Sequence, residues 1–272
     1  MTAPVVVHGQ RLTGVDVSVV TPTVNRIALL ERAMASVQAQ EDLRVQHVIV
    51  GDDCPALAQP GVAARLVRDY PRTIVVVRSG CAPGVSYRPA RTSFARNIGI
   101  GMASGQFIAH LDDDNEYEPD HLTSLLDALR KDPSASVAYS WRRLLTPSGS
   151  ELNFRGLNPW LQDEVVSRQF FLAQQSFRIV SDGSSVMRDL PVGLDGDDRF
   201  HIDSSELLVP AAVHARLAFR TSYTQQEMAA WLCEDRAFCI DALAMGLRFA
   251  PSRKVTLRYY LGGYSNGCRP AY

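Results

Sequence analysis

Lysine is nearly missing from this chain. Of its 28 basic residues only Lys131 and Lys254 are lysine, and the rest are arginine. With abundant Ala and Val, that bias fits a GC-rich bacterial genome and excludes nothing about mechanism. An excess of either charge is also missing. The 28 basic residues face 29 acidic ones, for a net charge of −1, so no basic field exists to hold a nucleic-acid backbone. Cys54, Cys81, Cys233, Cys239 and Cys268 are odd in number, and no two have C-x-x-C spacing. That indicates reduced thiols rather than a disulfide framework or a zinc site. No run approaches the ~20 apolar residues of a membrane span. The opening MTAPVVVHGQRLTG has neither the basic nor the long apolar region of a signal peptide. The expected location is cytoplasmic, with peripheral membrane contact left open. Internal repeats are absent, and so are the nucleotide-binding glycine signatures. GIGMASG at 99–105 is spaced G-x-G-x-x-x-G and precedes a strand, which suits close helix–sheet packing, and no G-x-x-x-x-G-K-[ST] occurs.

What is present is an ordinary globular composition, 46% apolar and 21% charged over 272 residues. That suffices for one large domain or two lobes on a shared core. After a loose arm at 1–14, strands are expected at VDVSVVTPT, VQHVIVGDD, RTIVVVRS, GQFIAHL and ASVAYSW. Helices are expected over 26–40, capped by Asn25, and over AARLVRDY, 91–104 and 120–131. The alternation predicts a mostly parallel sheet with helices on both faces, whose ligands sit beyond the carboxyl ends of the strands. Beyond about 145 the pattern loosens. A helix is expected at 163–175, a strand at HIDSSELLVP, and a short helix at AAVHARLAF. CEDRAFCIDALAMG reads as a helix with Ala237, Ile240 and Leu243 inward and Gly246 at its end.

The fourth strand runs straight into Asp112, Asp113 and Asp114, with Glu116, Glu118 and Asp120 close behind. Like charges this dense resist ionising together without a counter-charge. A hard divalent cation such as Mn2+ or Mg2+ would supply one, since it takes carboxylate and phosphate oxygens. The alternative is a solvated acidic turn, which suffices for Glu118 and Asp120 at a helix start. Asp53 ends the second strand on the same edge of the sheet. Asp235 opens the late helix, either as a cap or as a proton acceptor for a hydroxyl nucleophile.

VSVVTPTVNR, VIVGDD, ARNIGIGMASGQFIAHLDDDN and WLCEDRAFCIDALAMG stand in the order seen in family 2 glycosyltransferases of the GT-A fold. The chain resembles that family over roughly residues 15–260. The resemblance implies an inverting, metal-dependent transferase that uses a nucleoside-diphosphate sugar, with a UDP-sugar favoured over TDP or GDP. It implies a nucleotide-sugar lobe at 15–145, an acceptor lobe with the base at 146–260, and a tail or lid at 261–272. Thr21, Pro22, Thr23 and Asp53 match the base-binding positions. Arg91 and Arg96 lie where the family places a basic residue near the nucleotide, Arg91 the better fit and Arg96 alternatively a packing residue. Asn97 fits the small polar position of that helix, and Asp112 or Asp113 matches the contact to ribose or metal. Asp114, with Asp112, matches the metal ligands of the DXD element. Ser204 and Ser205 match the acceptor strand, and Asp235 matches the general base, with Glu234 beside it. Val24, Cys54, Pro55 and Asn115 depart from the common pattern. A glycan, a lipid-linked sugar or a small natural product would all serve as acceptor.

Two other classes are open at this level: a nucleotidyltransferase that makes sugar nucleotides, and a non-catalytic nucleotide- or glycan-binding module. His201 is either structural or a further metal ligand. His110 should hydrogen-bond within the core. LDGDDR at 194–199 lacks complete EF-hand spacing. Trp141, Trp160 and Trp231 are core residues or walls of an acceptor pocket.

Overall fold

A computed structural model describes residues 5–79, 86–191 and 201–263. The acid-rich loop at 194–199, the end of the Tyr/Gly-rich tail, Cys81 and Cys268 lie outside the described residues. The strands are β1 Val5–His8, β2 Val17–Thr23, β3 Val45–Asp52, β4 Thr73–Arg78, β5 Phe107–His110, β6 Glu116–Tyr117, β7 Val137–Leu145, β8 Val186–Met187, β9 Leu207–Pro210 and β10 Phe249–Tyr260. The helices are α1 Ile27–Gln38, α2 Pro55–Ala58, α3 Val62–Asp69, α4 Arg88–Met102, α5 His121–Lys131, α6 Glu164–Ser176, α7 Ala211–His214, α8 Gln225–Ala229 and α9 Glu234–Ala244.

They build an α/β fold around one mixed, largely parallel sheet. Its order is β1-β4-β3-β2-β5-β9-β7-β10-β6, with β8 on β7. Neighbours among β4, β3, β2 and β5 are parallel, so their carboxyl ends open on one edge. β3 is buried at every position, as a strand covered on both faces must be. Alternate side chains go to opposite faces. Ile49 meets Leu30 and Met34 of α1 and Leu66 of α3. Val48 and Val50 join a second cluster with Ala95 of α4. Each such aliphatic, fully buried, contributes about 1.5–3 kcal/mol.

β9 runs antiparallel to β5. It therefore begins where β5 ends, which brings residues from beyond 200 to the acid cluster. β7 and β10 also lie parallel, side by side, across the point where the sequence pattern loosens.

Four sequence expectations are corrected, and one strand lies outside all of them. The first segment is no loose arm, because Val5–His8 pairs antiparallel with β4 and closes that edge of the sheet. Asn25 does not cap α1. It has φ +54° and its Oδ1 accepts the Ala56 N–H at 3.1 Å, so the helix starts after Arg26. HIDSSELLVP is not strand throughout. Asp203 and Glu206 form a reciprocal capping box that turns residues 204–206 into a 3-10 helix ahead of β9. On α9, Leu243 is 37% exposed; Phe238, Cys239 and Ala242 are buried with Ala237. The twelve-residue β10 is unmarked by strict alternation, because it carries register shifts between Pro251 and Leu257.

GIGMASG behaves as its spacing suggests. A Cβ on Gly99 would collide with Val20 Cγ1 and stand 3.3 Å from Val50 Cγ2, so α4 lies directly on β2 and β3. Gly99→Ala is expected to destabilise the fold by about 1–3 kcal/mol through overpacking, despite alanine's better helix propensity. Urea unfolding would measure it, and an unchanged midpoint would refute the close approach.

Candidate active site

The acids after β5 occupy three different environments. Asp113 is 1% exposed. It accepts the Thr23 hydroxyl at 2.6 Å and a paired contact from the Arg26 guanidinium. Burial raises its pKa, against the pull of Arg26 and Thr23. Asp114 receives Arg26 Nη1 on Oδ2 at 2.7 Å, and its carbonyl accepts Arg32 Nη2 at 2.6 Å. Burial first, then the charge of Asp112, pushes its carboxyl up to about 7, with Arg26 opposing. Asp112 Oδ1 accepts Arg96 Nη2 at 2.6 Å. The counter-charge that the cluster demands is thus supplied in part by arginines.

Arg96 is the hinge of the site and does more than pack. It is wholly buried, reaches Ser204 Oγ at 2.5 Å as well as Asp112, and lies in the field of Asp235 and Glu234. Ser205 Oγ accepts the Asp112 N–H at 3.2 Å. The 3-10 turn that leads into the antiparallel β9 therefore meets the acids directly. Asn115, which departs from the common pattern, is buried. Its Oδ1 accepts the Tyr260 N–H at 3.1 Å, tying the end of β10 to the acid loop. Beyond Tyr260, Gly263 lies against Asp114 Oδ2, where a Cβ would clash.

Glu234 and Asp235 begin α9, whose N-terminus favours acids. Burial raises Glu234 to about 7, with Arg96 opposing and Asp112 adding to the shift. Burial, followed by the charges of Glu234 and Asp203, holds Asp235 well above the usual carboxylate range.

Other expected residues sit less directly at the cluster. Thr21 is buried and paired with His47 Nε2 at 2.8 Å, and Pro22 is half-buried beside it. Asp53 is exposed, at φ +55°, and lines a shallow cavity of about 170 Å³ with Cys54, Pro55 and Arg78. Its neighbour Asp52 is the buried acid, with Arg78 at 2.7 Å and Arg91 at 3.6 Å. Asn97 spends its amide on the Phe219 backbone, donating at 2.8 Å and accepting at 3.0 Å. His110 pairs with His214 at 3.1 Å inside the core. Trp160 packs on the core beside Tyr259 and Trp141 lies under Arg188. Trp231 is 46% exposed at φ +53°, just before α9.

Arg26 is the residue that the sequence reading missed. It stands in TPTVNR at the end of β2, the parallel neighbour of β5, so its proximity to Asp113 and Asp114 follows from strand order. Among the described residues, bonds to Asp112 reach Oδ1 and bonds to the Asp114 side chain reach Oδ2. The other oxygen of each carries none. Two carboxylates with oxygens to spare fit a hard divalent cation.

The family model described as Glycosyl transferase family 2 matches residues 18–189. Among curated relatives, the succinoglycan biosynthesis protein ExoO of Rhizobium meliloti is 36% identical over 112 residues, 41% of this chain and 29% of that protein. The GalNAc(5)-diNAcBac-PP-undecaprenol beta-1,3-glucosyltransferase of Campylobacter jejuni is 29% identical over 161 residues, 58% of this chain and 48% of that protein. The chain thus spans less than half the length of either relative. Among solved structures, S. aureus TarS 1–349 in complex with UDP-GlcNAc superposes with TM-score 0.56 at 14% identity, covering 93% of this chain and 61% of that one. Mannosyltransferase PcManGT from Pyrobaculum calidifontis, in complex with GDP-Man and Mn2+, gives TM-score 0.58 at 15% identity over 93% and 59%. No described helix is long and apolar enough to cross a membrane.

Proposed function

Because the chain belongs to glycosyl transferase family 2, we propose that it moves a sugar from a nucleoside-diphosphate sugar onto an acceptor hydroxyl or amine, with inversion and with a bound Mn2+ or Mg2+. One observation carries the reading. The buried Arg96 bonds Asp112 of the acid cluster and Ser204 ahead of β9, and it lies in the field of Glu234 and Asp235 at the start of α9. A donor group and an acceptor group thus share one site.

Asp112 and Asp114 would hold the cation, which when bound supplies Lewis-acid stabilisation to the departing diphosphate. Arg26 and Arg96 hold these carboxylates in place and add positive charge beside a developing anion. The nucleotide lies along the carboxyl ends of β2 and β3, near Thr23, Asp53 and the Asp52–Arg91 pair. Ser204 and Ser205 border the acceptor side. Asp235 takes the proton from the acceptor hydroxyl as it attacks the anomeric carbon on the face opposite the leaving group, which inverts the centre. Residues 15–145 serve the donor, and 146–260 serve the acceptor and carry the base. The lipid-linked acceptor in the Campylobacter relative's name and the UDP and GDP donors of the solved structures support these classes.

Calorimetric titration with UDP, GDP and TDP, with and without Mn2+, tests the reading. Metal-dependent binding of a nucleoside diphosphate is expected. Preference for a nucleoside triphosphate with a sugar phosphate would point to a nucleotidyltransferase instead.

The raised pKa of Asp235 sets a pH dependence. A base works only when ionised, so activity is lost as pH falls through a pKa held above the usual carboxylate range by burial and by Glu234. The acid limb of kcat/KM should therefore lie well above pH 4, and removing the Glu234 charge should move it down. An acid limb in the ordinary carboxylate range would contradict this.

A further inference from the structure

Three side chains from two segments meet at the start of α9. His201 comes from the loop before the 3-10 turn, Cys233 precedes the first helical residue, and Asp235 is the second. One ligand atom from each lies within 4.8 Å of the others, and Cys233 Sγ is 3.9 Å from His201 Nε2. Among the described residues, Asp235 Oδ1 is buried with no hydrogen-bond partner, an arrangement that leaves this carboxylate oxygen unsatisfied by them. Thiolate, imidazole and carboxylate around an open fourth position form a tetrahedral donor set, with ligand bonds of about 2.0–2.3 Å. We propose that His201, Cys233 and Asp235 form a second cation site, selective for a thiophilic ion such as Zn2+, whose occupancy inhibits transfer by engaging Asp235.

Two chemistries keep this site apart from the donor's. Asp112 and Asp114 offer oxygens alone, which suit Mg2+ or Mn2+, whereas a thiolate selects softer ions. The ligands are also scattered along the chain rather than paired at C-x-x-C spacing, so the cysteine pattern does not announce them. The inhibitory half rests on Asp235 being the base; the binding half does not.

The test uses the whole chain and Zn2+ alone, in competition with a chromophoric chelator and without sugar nucleotide. One Zn2+ per chain is expected. Cys233→Ser and His201→Gln should each weaken it by on the order of a hundredfold, and Asp114→Asn should not. Serine is a good helix N-cap, so circular dichroism of Cys233→Ser should match wild type. Co2+ should give thiolate-to-metal absorption in wild type that is lost in Cys233→Ser. Zinc affinity unchanged by both ligand substitutions, or abolished by Asp114→Asn, would overturn the site. In the transfer assay, zinc should inhibit wild type over the concentration range in which it binds. Zinc bound at the triad with transfer intact would overturn the inhibition and with it Asp235 as base. Absent zinc binding would overturn the site while leaving the transferase reading untouched.

Discussion

Asp114→Asn should abolish Mn2+-dependent nucleoside-diphosphate binding and lower transfer by ~10³-fold, because it removes one of two carboxylates that would hold the cation at the diphosphate. The fold should survive. Asp114 is held at about 7 by burial and by the Asp112 charge, so its ionised form destabilises the metal-free native state. The sign follows from linkage: a carboxyl whose folded pKa lies above its unfolded value costs stability once pH rises past the unfolded value. In chelator, Asp114→Asn should therefore melt at or above the wild-type temperature at neutral pH, and the difference should close below about pH 4. Arg26 limits the gain. It loses its 2.7 Å contact to Asp114 but keeps Asp113. Calorimetric titration and thermal melts on the same samples separate the two effects. Intact metal-dependent binding alongside a large drop in melting temperature would make Asp114 a structural acid.

The contrast between Asp113 and Asp114 marks how far the sequence could be read. Strand and helix alternation located the carboxyl edge of the sheet, because buried parallel strands leave unbroken Val/Ile runs and helices leave a 3.6-residue period. Three adjacent aspartates, however, look identical in a string. Their roles separate only when β2 delivers Thr23 and Arg26 against Asp113, and α4 delivers Arg96 against Asp112. Those are contacts between segments 16 to 90 residues apart, and local periodicity carries no information about them. Where the signal was local it was available. The Asp203–Glu206 box is an N-cap pattern in plain letters, and Gly99 follows from helix–sheet packing. Where the chain bends out of alternation, as in β10, or where a short β-branched run pairs with an edge, as in β1, pattern reading fails. There the partner strand, not the segment's own period, decides the structure.

Asp235→Asn should lower kcat by ~10²–10⁴-fold, the range a positioned general base contributes, while leaving metal-dependent nucleotide binding within about twofold, since Asp112 and Asp114 lie on another element. The isosteric amide keeps the side chain's volume and its place near the helix N-terminus. It also removes a charge whose burial and proximity to Glu234 are unfavourable, so the variant should be no less stable than wild type. Glu234 supplies the control. Glu234→Gln keeps the proton acceptor but deletes the nearest like charge, so kcat should fall far less and the acid limb should shift to lower pH. If Glu234 were itself the base, the two variants would exchange behaviour. If neither carboxylate took the proton, both would retain wild-type kcat, and transfer would have to draw its base from the acceptor or the donor. A quenched-flow measurement of single-turnover transfer, with donor prebound, reads the chemical step directly. A loss confined to that step, with the donor dissociation constant unchanged, is the result that assigns proton removal to Asp235.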